Sequence, residues 1–150
     1  MNYEVNEDTL AVIPYQNGTK IIERDNEYII DCNPYKVMEY SCEYFGSSID
    51  GRIKGTKNML GSIYKAPIII EESKNLIFFP TSSPNVYENN WISLKNVIGY
   101  KKEGNKTKII FRNNKELLVD IPYLSIDNQV LRASRLESIL SKRKNSEKND

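Results

Sequence analysis

The sequence predicts an α+β fold: a mostly antiparallel sheet, one inserted helix and a C-terminal amphipathic helix. Three observations predict it. Short runs rich in Ile, Val, Tyr and Phe recur between turn residues, as at 66–70 and 75–79, and read as strands. Between Asn33 and Gly46 the apolar spacing becomes helical, with Met38, Cys42 and Phe45 recurring. From about Ser125 to Ser141, the residues Ile126, Val130, Ala133 and Leu140 share one helical face, with Arg135 and Lys142 opposite.

In chain order, residues 10–15 form a short apolar run stopped by a proline. Residues 19–24 and 27–31 flank Asp25-Asn26, a two-residue hairpin signal. Asn33 is a good N-cap, Pro34 suits the first helical position and Gly46 suits the stop. Residues 46–56, with glycines at 46, 51 and 55, read as a glycine-rich loop. Strands at 66–70 and 75–79 enclose a polar turn, and a polar loop at 80–90 leads to Trp91. Three more strands are predicted near 95–102, 106–112 and 115–121, with turns at 103–105 and at Asn113-Asn114. After the final helix, residues 142–150 read as a charged, disordered tail. Residues 1–141 make one domain by length, without internal repeats. A meander closed by a helix also resembles pleckstrin-homology-like half-barrels, by fold analogy alone.

Composition narrows the chemistry. With 39% apolar and 27% charged residues, the chain can bury a core, and no apolar run nears the roughly 20 residues of a membrane span. Met1-Asn2-Tyr3-Glu4 carries acid early and lacks the pattern of a signal peptide. Cys32 and Cys42 are the only cysteines, too few for a disulfide framework and wrongly spaced for a zinc ribbon. A cytoplasmic protein with two buried thiols is expected. The chain has no histidine, which removes Ser–His–Asp and Cys–His catalysis and histidine metal ligands. No carboxylate pair, metal cluster or nucleophile–base pair stands out, so neither enzymatic activity nor a cofactor or metal is expected.

Charge is unevenly distributed. Residues 1–50 hold three bases and ten acids, a net −7, whereas the rest holds 18 bases and ten acids, a net +8. The split predicts an acidic region and a basic surface that meets an anion. Three stretches could build that surface. Residues 46–51 nearly match a phosphate-binding loop, but Arg52-Ile53 stand where Lys-Ser/Thr is required. Glycines there could still approach phosphates, with Arg52, Lys54 and Lys57 supplying charge. On the hairpin at 97–112, alternation puts Lys106, Lys108, Ile110 and Arg112 on one face, and Thr107, Ile109 and Phe111 on the core face. A three-residue turn would set Lys102 opposite Lys106, and a two-residue turn Lys101 opposite Lys108. Like charges directly opposite are mildly destabilising, a cost that a bound polyanion reverses. Arg132, Arg135 and the run 142–144 form the third stretch. The loop and hairpin bases are expected to share one side. Without a ligand, the same residues read as a flexible loop, edge-guarding lysines and partners of a helix dipole.

The stretch 41–56, Ser-Cys-Glu-Tyr-Phe-Gly-Ser-Ser-Ile-Asp-Gly-Arg-Ile-Lys-Gly-Thr, resembles the ComK family motif. Tyr3-Glu4-Val5-Asn6, Phe79-Pro80-Thr81, Trp91-Ile92-Ser93, and Asn128-Gln129-Val130 with Arg132 and Ala133 are similar and in the same order. The resemblance implies a nucleoid-associated transcriptional activator of competence (DNA-uptake) genes. Such proteins bind pairs of AT-rich boxes in double-stranded promoter DNA, mainly from the minor groove, as dimers that pair into tetramers. A narrow AT-rich groove attracts inserted arginine or lysine. On this reading Arg52 is the inserted group, while Lys54, Lys57, Lys102, Lys106, Lys108, Arg112, Arg132 and Arg135 hold DNA around it. Family members often carry a further C-terminal segment used by an adaptor that delivers them to a Clp protease; this chain has nine residues past the predicted helix. The alternative function is a protein- or anionic-headgroup-binding module on a half-barrel.

Overall fold

Consecutive apolar positions in the strands are explained by a sheet buried on both faces. The computed structural model describes residues 2–148. In chain order the elements are β1 (Thr9–Tyr15), β2 (Gly18–Glu23), β3 (Glu27–Ile30), α1 (Pro34–Tyr44), α2 (Ile49–Leu60), β4 (Ile68–Glu71), β5 (Leu76–Pro80), β6 (Trp91–Ser93), a 3-10 turn (Leu94–Asn96), β7 (Val97–Glu103), β8 (Lys106–Phe111), β9 (Glu116–Val119) and α3 (Tyr123–Lys148). Six strands form one sheet in the order β3-β2-β1-β6-β5-β4, and three form a second in the order β7-β8-β9. Every described strand pair is antiparallel. The predicted α+β class therefore holds.

The six-stranded sheet forms the middle layer. Val12, Ile21, Ile68, Ile70, Phe78 and Trp91 point to one face, against Val37, Met38, Ile49 and Ile53 of α1 and α2. Ala11, Ile22, Ile69, Ile77, Phe79 and Ile92 point to the other, against Ile109, Phe111 and Val119 of the small sheet and Ile126, Ala133, Leu136 and Leu140 of α3. Alternation along each strand thus feeds two cores rather than a core and solvent.

Close approach of β2 to β3 fixes one glycine. A Cβ at Gly18 would clash with the carbonyl oxygen of Ile30 on the neighbouring strand. Gly18→Ala is expected to lower the unfolding free energy by roughly 1–3 kcal/mol, as overpacking does. Urea titration checks it, and an unchanged midpoint would contradict the packing described.

α1 starts and stops as predicted. The Asn33 side chain accepts from the Lys36 N–H at 2.9 Å, Pro34 follows it, and Gly46 takes a left-handed φ of 83° just past the end. Gly46 N–H and Ser47 N–H then cap the carbonyls of Glu43 and Cys42, each at 2.9 Å. Cys42 is fully buried in the core beneath α1, and burial pushes its thiol up to about 12. Cys32 is half-buried, with its thiol raised for the same reason. Because thiolates do the reacting, iodoacetamide is expected to mark Cys42 only as fast as the protein unfolds. Prompt labelling of native Cys42, read by peptide mass, would contradict its burial.

Two expectations require correction, and one element went unassigned. Residues 49–60 are a helix, not a loop, so two helices are inserted rather than one. Its glycines cost about 1 kcal/mol each relative to alanine, but the Ser48 cap and the buried Ile49, Ile53 and Thr56 outweigh that. Trp91–Ser93, to which no element was assigned from the sequence, is a strand between β1 and β5, too short to show a period of its own. Finally, α3 runs on to Lys148 instead of ending near Ser141. Residues 142–148 contain no Gly or Pro to stop it, and the Lys144 ammonium is anchored on Asn75 Oδ1 at 2.8 Å. Asn149 and Asp150, the end of the tail expected to be disordered, lie outside the described residues.

Candidate nucleic-acid interface

Two antiparallel helices dominate the basic end of the molecule. α2 packs on β4, the edge of the large sheet, and against α3. Near the start of α3, Gln129 Nε2 donates to the carbonyls of Lys65, just past α2, at 2.9 Å and of Pro80 at 2.6 Å. Near its end, Lys144 donates to the Glu72 carbonyl, and Glu72 also holds Arg52 in the second turn of α2. The helices therefore run in opposite directions.

α3 presents its bases asymmetrically. From Asn128 to Ser146 it carries Arg132, Arg135, Lys142, Arg143 and Lys144 but a single carboxylate, Glu137. Glu137 lies on the flank facing β7, where it lines a groove with Val130, Ser134 and Val97. Asp127 is on that flank too, accepting from Tyr100 Oη at 2.6 Å. Arg135, Lys142 and Arg143 are exposed, at helical positions more than about 100° around from Glu137. Arg132 is half-buried, with one guanidinium nitrogen 2.7 Å from Gln129 Oε1. Beside α3, Lys54 and Lys57 are exposed on α2, and Lys57 borders a groove with Tyr64 and Ser83. Of the acidic first third of the chain, β1, β2 and β3 lie at the opposite end of the large sheet, while Glu39 and Glu43 sit on α1, which packs on α2, and Asp50 is in the first turn of α2.

Arg52 does not project. Its side chain is 18% exposed and lies 3.3 Å from Glu72 Oε1 and 3.4 Å from the Ile70 carbonyl. The Glu72 partnership, twenty residues away, left no signal in the sequence.

The hairpin bases point elsewhere. β7 and β8 are joined by the two-residue turn at Gly104-Asn105, which sets Lys101 opposite Lys108 and Glu103 opposite Lys106. Thr107, Ile109 and Phe111 face the core as alternation predicts. On the outer face, Lys108 sits 2.9 Å from Glu103 and 3.8 Å from Glu116. The Glu103 carboxylate, through its hydrogen bond, holds the Lys108 ammonium above the usual lysine value. The like-charge cost anticipated for this face is thus relieved within the protein. Lys102 and Lys106 are exposed near the hairpin tip. Arg112 is exposed too, but its Nε donates to the Lys95 carbonyl at 2.5 Å.

The small sheet and α2 pack on opposite faces of the large sheet. The expectation that loop and hairpin bases share one side is therefore overturned. The structure instead brings Lys54 and Lys57 together with the Arg132 and Arg135 helix. Arg132, Arg135 and Lys142, spaced three and seven residues apart, were visible as one helical flank, whereas Arg143 and Lys144 fell in the stretch read as a tail.

The molecule is thus an α+β protein with a run of bases along one flank of its C-terminal helix, and among its described residues no group of three His, Cys, Asp or Glu could hold a metal ion. No helix of the described residues is long and apolar enough to cross a membrane. The family model described as "ComK protein" matches residues 1–145. The protein named "Competence transcription factor" of Bacillus subtilis (strain 168) is 36% identical over 142 residues, covering 91% of this chain and 74% of that protein. No solved structure matches the chain. The chain belongs to the ComK family.

Proposed function

We propose that this chain is a transcriptional activator of competence genes, and that it binds AT-rich promoter DNA mainly from the minor groove through the α2–α3 face. Family membership and the name of the Bacillus relative support the class of function. The observation that carries the choice of surface is the outward flank of α3, where Arg132, Arg135, Lys142 and Arg143 follow one another without an intervening carboxylate on that flank. Polyanion affinity comes from just such neutralisation of phosphates with release of counterions. An α-helix about 10 Å across cannot enter a minor groove about 6 Å wide. The helices therefore lie over the backbone, and long side chains such as Lys54 and Arg135 reach in. Dimers that pair into tetramers would set such faces over paired boxes.

Fluorescence anisotropy tests the reading. At one fixed salt concentration, an AT-rich duplex is expected to bind at least about tenfold tighter than a GC-rich duplex of equal length, about the cost of a single mismatched base pair. Distamycin, which fills the minor groove, is expected to compete, whereas 5-position changes on pyrimidines alter only the major-groove edge and are expected to matter little. Equal affinity for both duplexes, heparin and anionic vesicles would overturn the proposal in favour of a general anion-binding module.

A further inference from the structure

We infer that the β4–β5 turn is a clamp that sets the position of α2 against α3, with Arg52 and Glu72 as positioning residues for DNA binding; this rests on the proposal that the α2–α3 face binds DNA. The turn touches both helices at once. Its Glu72 carboxylate pairs with Arg52 of α2 at 3.3 Å, and its Glu72 carbonyl accepts from Lys144 of α3. Asn75 closes the turn with a left-handed φ of 51°, donating its N–H to the Glu72 carbonyl at 3.1 Å and accepting from Lys144 at 2.8 Å. The preceding strand adds the Ile70 carbonyl to the Arg52 guanidinium.

Arg52 is the inward-turned base of α2, while Lys54 and Lys57 face solvent. At the other end of the pair, Gln129 ties α3 to the chain just beyond α2. The two helices are thus fixed near both ends by bonds that converge on β4, β5 and their flanking segments. A surface that must meet a phosphate lattice depends on such supports, because a displacement near 1 Å spoils a contact. Without the clamp, the ends of both helices lose charge-assisted hydrogen bonds, the stronger kind.

The test compares the unmodified chain with Arg52→Ala, Glu72→Ala, Lys144→Ala, and the exchanged pair Arg52→Glu/Glu72→Arg. Amide hydrogen exchange is measured first, without DNA. Arg52→Ala and Glu72→Ala are each expected to speed exchange roughly five- to tenfold in the first turns of α2, whose tie they remove, and Lys144→Ala to do the same in the last turns of α3, relative to β1 and β2, as local opening does. Affinity for the AT-rich duplex is expected to fall by a similar factor. The log–log salt slope stays the same, because no phosphate contact is lost, whereas Lys54→Ala lowers it by about one unit. The exchanged pair is expected to return both readouts to within about threefold of the unmodified chain, since the two sites are directly coupled. Should Glu72→Ala unfold early, Glu72→Gln keeps its size and one acceptor oxygen and is read in its place. Unchanged exchange in both helices overturns the clamp, as does a salt slope reduced by one in Arg52→Ala. If the unmodified chain fails to prefer AT-rich DNA, the functional proposal fails, and the exchange rates still decide the clamp by themselves.

Discussion

Reversing one charge on each basic helix, with Lys54→Glu and Arg135→Glu together, is expected to weaken binding to AT-rich duplex roughly hundredfold or more, as the loss of two contacts at about 1–3 kcal/mol each implies. Both side chains are exposed, and neither forms an ion pair among the described residues. The log–log salt slope is expected to fall by about two units, one for each phosphate no longer neutralised. Stability should move little, since exposed positions away from caps and core usually change it by under about 0.5 kcal/mol. The double variant therefore separates binding from folding. Reversing Lys101 and Lys106 on the outer face of the small sheet is the matched control and is expected to have a much smaller effect. Affinity of the Lys54→Glu/Arg135→Glu protein within threefold of the unmodified chain would remove DNA from the α2–α3 face.

Phe78→Ala is expected to have the largest effect on folding, a loss of roughly 3–5 kcal/mol from transfer and cavity terms combined. Phe78 is fully buried on β5, flanked by Ile68 of β4 and Ser93 of β6. It fills the layer between the large sheet and the α1–α2 helices. Domains of this kind are held by about 5–15 kcal/mol in total, so the variant should lose a large part of its margin. Urea unfolding followed by tryptophan fluorescence reads it directly, because Trp91 is buried in the same core. A midpoint shift worth less than 1 kcal/mol would mean that this layer is packed differently.

The strands were legible because Ile68-Ile69-Ile70 and Leu76-Ile77-Phe78-Phe79 are apolar at successive positions, a pattern that a doubly buried sheet requires. What it did not reveal was the partner on each face, since alternation carries no information about which layer lies above. α1 was legible from Asn33, Pro34 and Gly46, each with a distinct conformational role. α2 was not, because Gly51 and Gly55 argue locally for a loop, and packing of Ile49, Ile53 and Thr56 decides otherwise. Gly51 is also where a Cβ would press within 3.1 Å of the capping Ser48 hydroxyl, so the glycine serves the helix it seemed to break. At the candidate interface, Arg132 and Arg135 were readable on the helix, whereas Arg143 and Lys144 fell in the stretch read as a tail. The inward turn of Arg52 and the ion pairing of Lys108 were not readable, since Glu72 reaches Arg52 only through tertiary pairing and the partners of Lys108, Glu103 and Glu116, depend on strand register.

Where DNA meets the protein is read most directly by hydrogen exchange on the full chain, with and without saturating AT-rich duplex. Binding through the basic helices predicts new protection along α2 around Lys54 and Lys57 and along α3 from Arg132 to Arg143. It predicts none on the outer strands of the small sheet around Lys101, Lys106 and Lys108. Protection confined to those strands, with α2 and α3 exchanging as in the free protein, would contradict it.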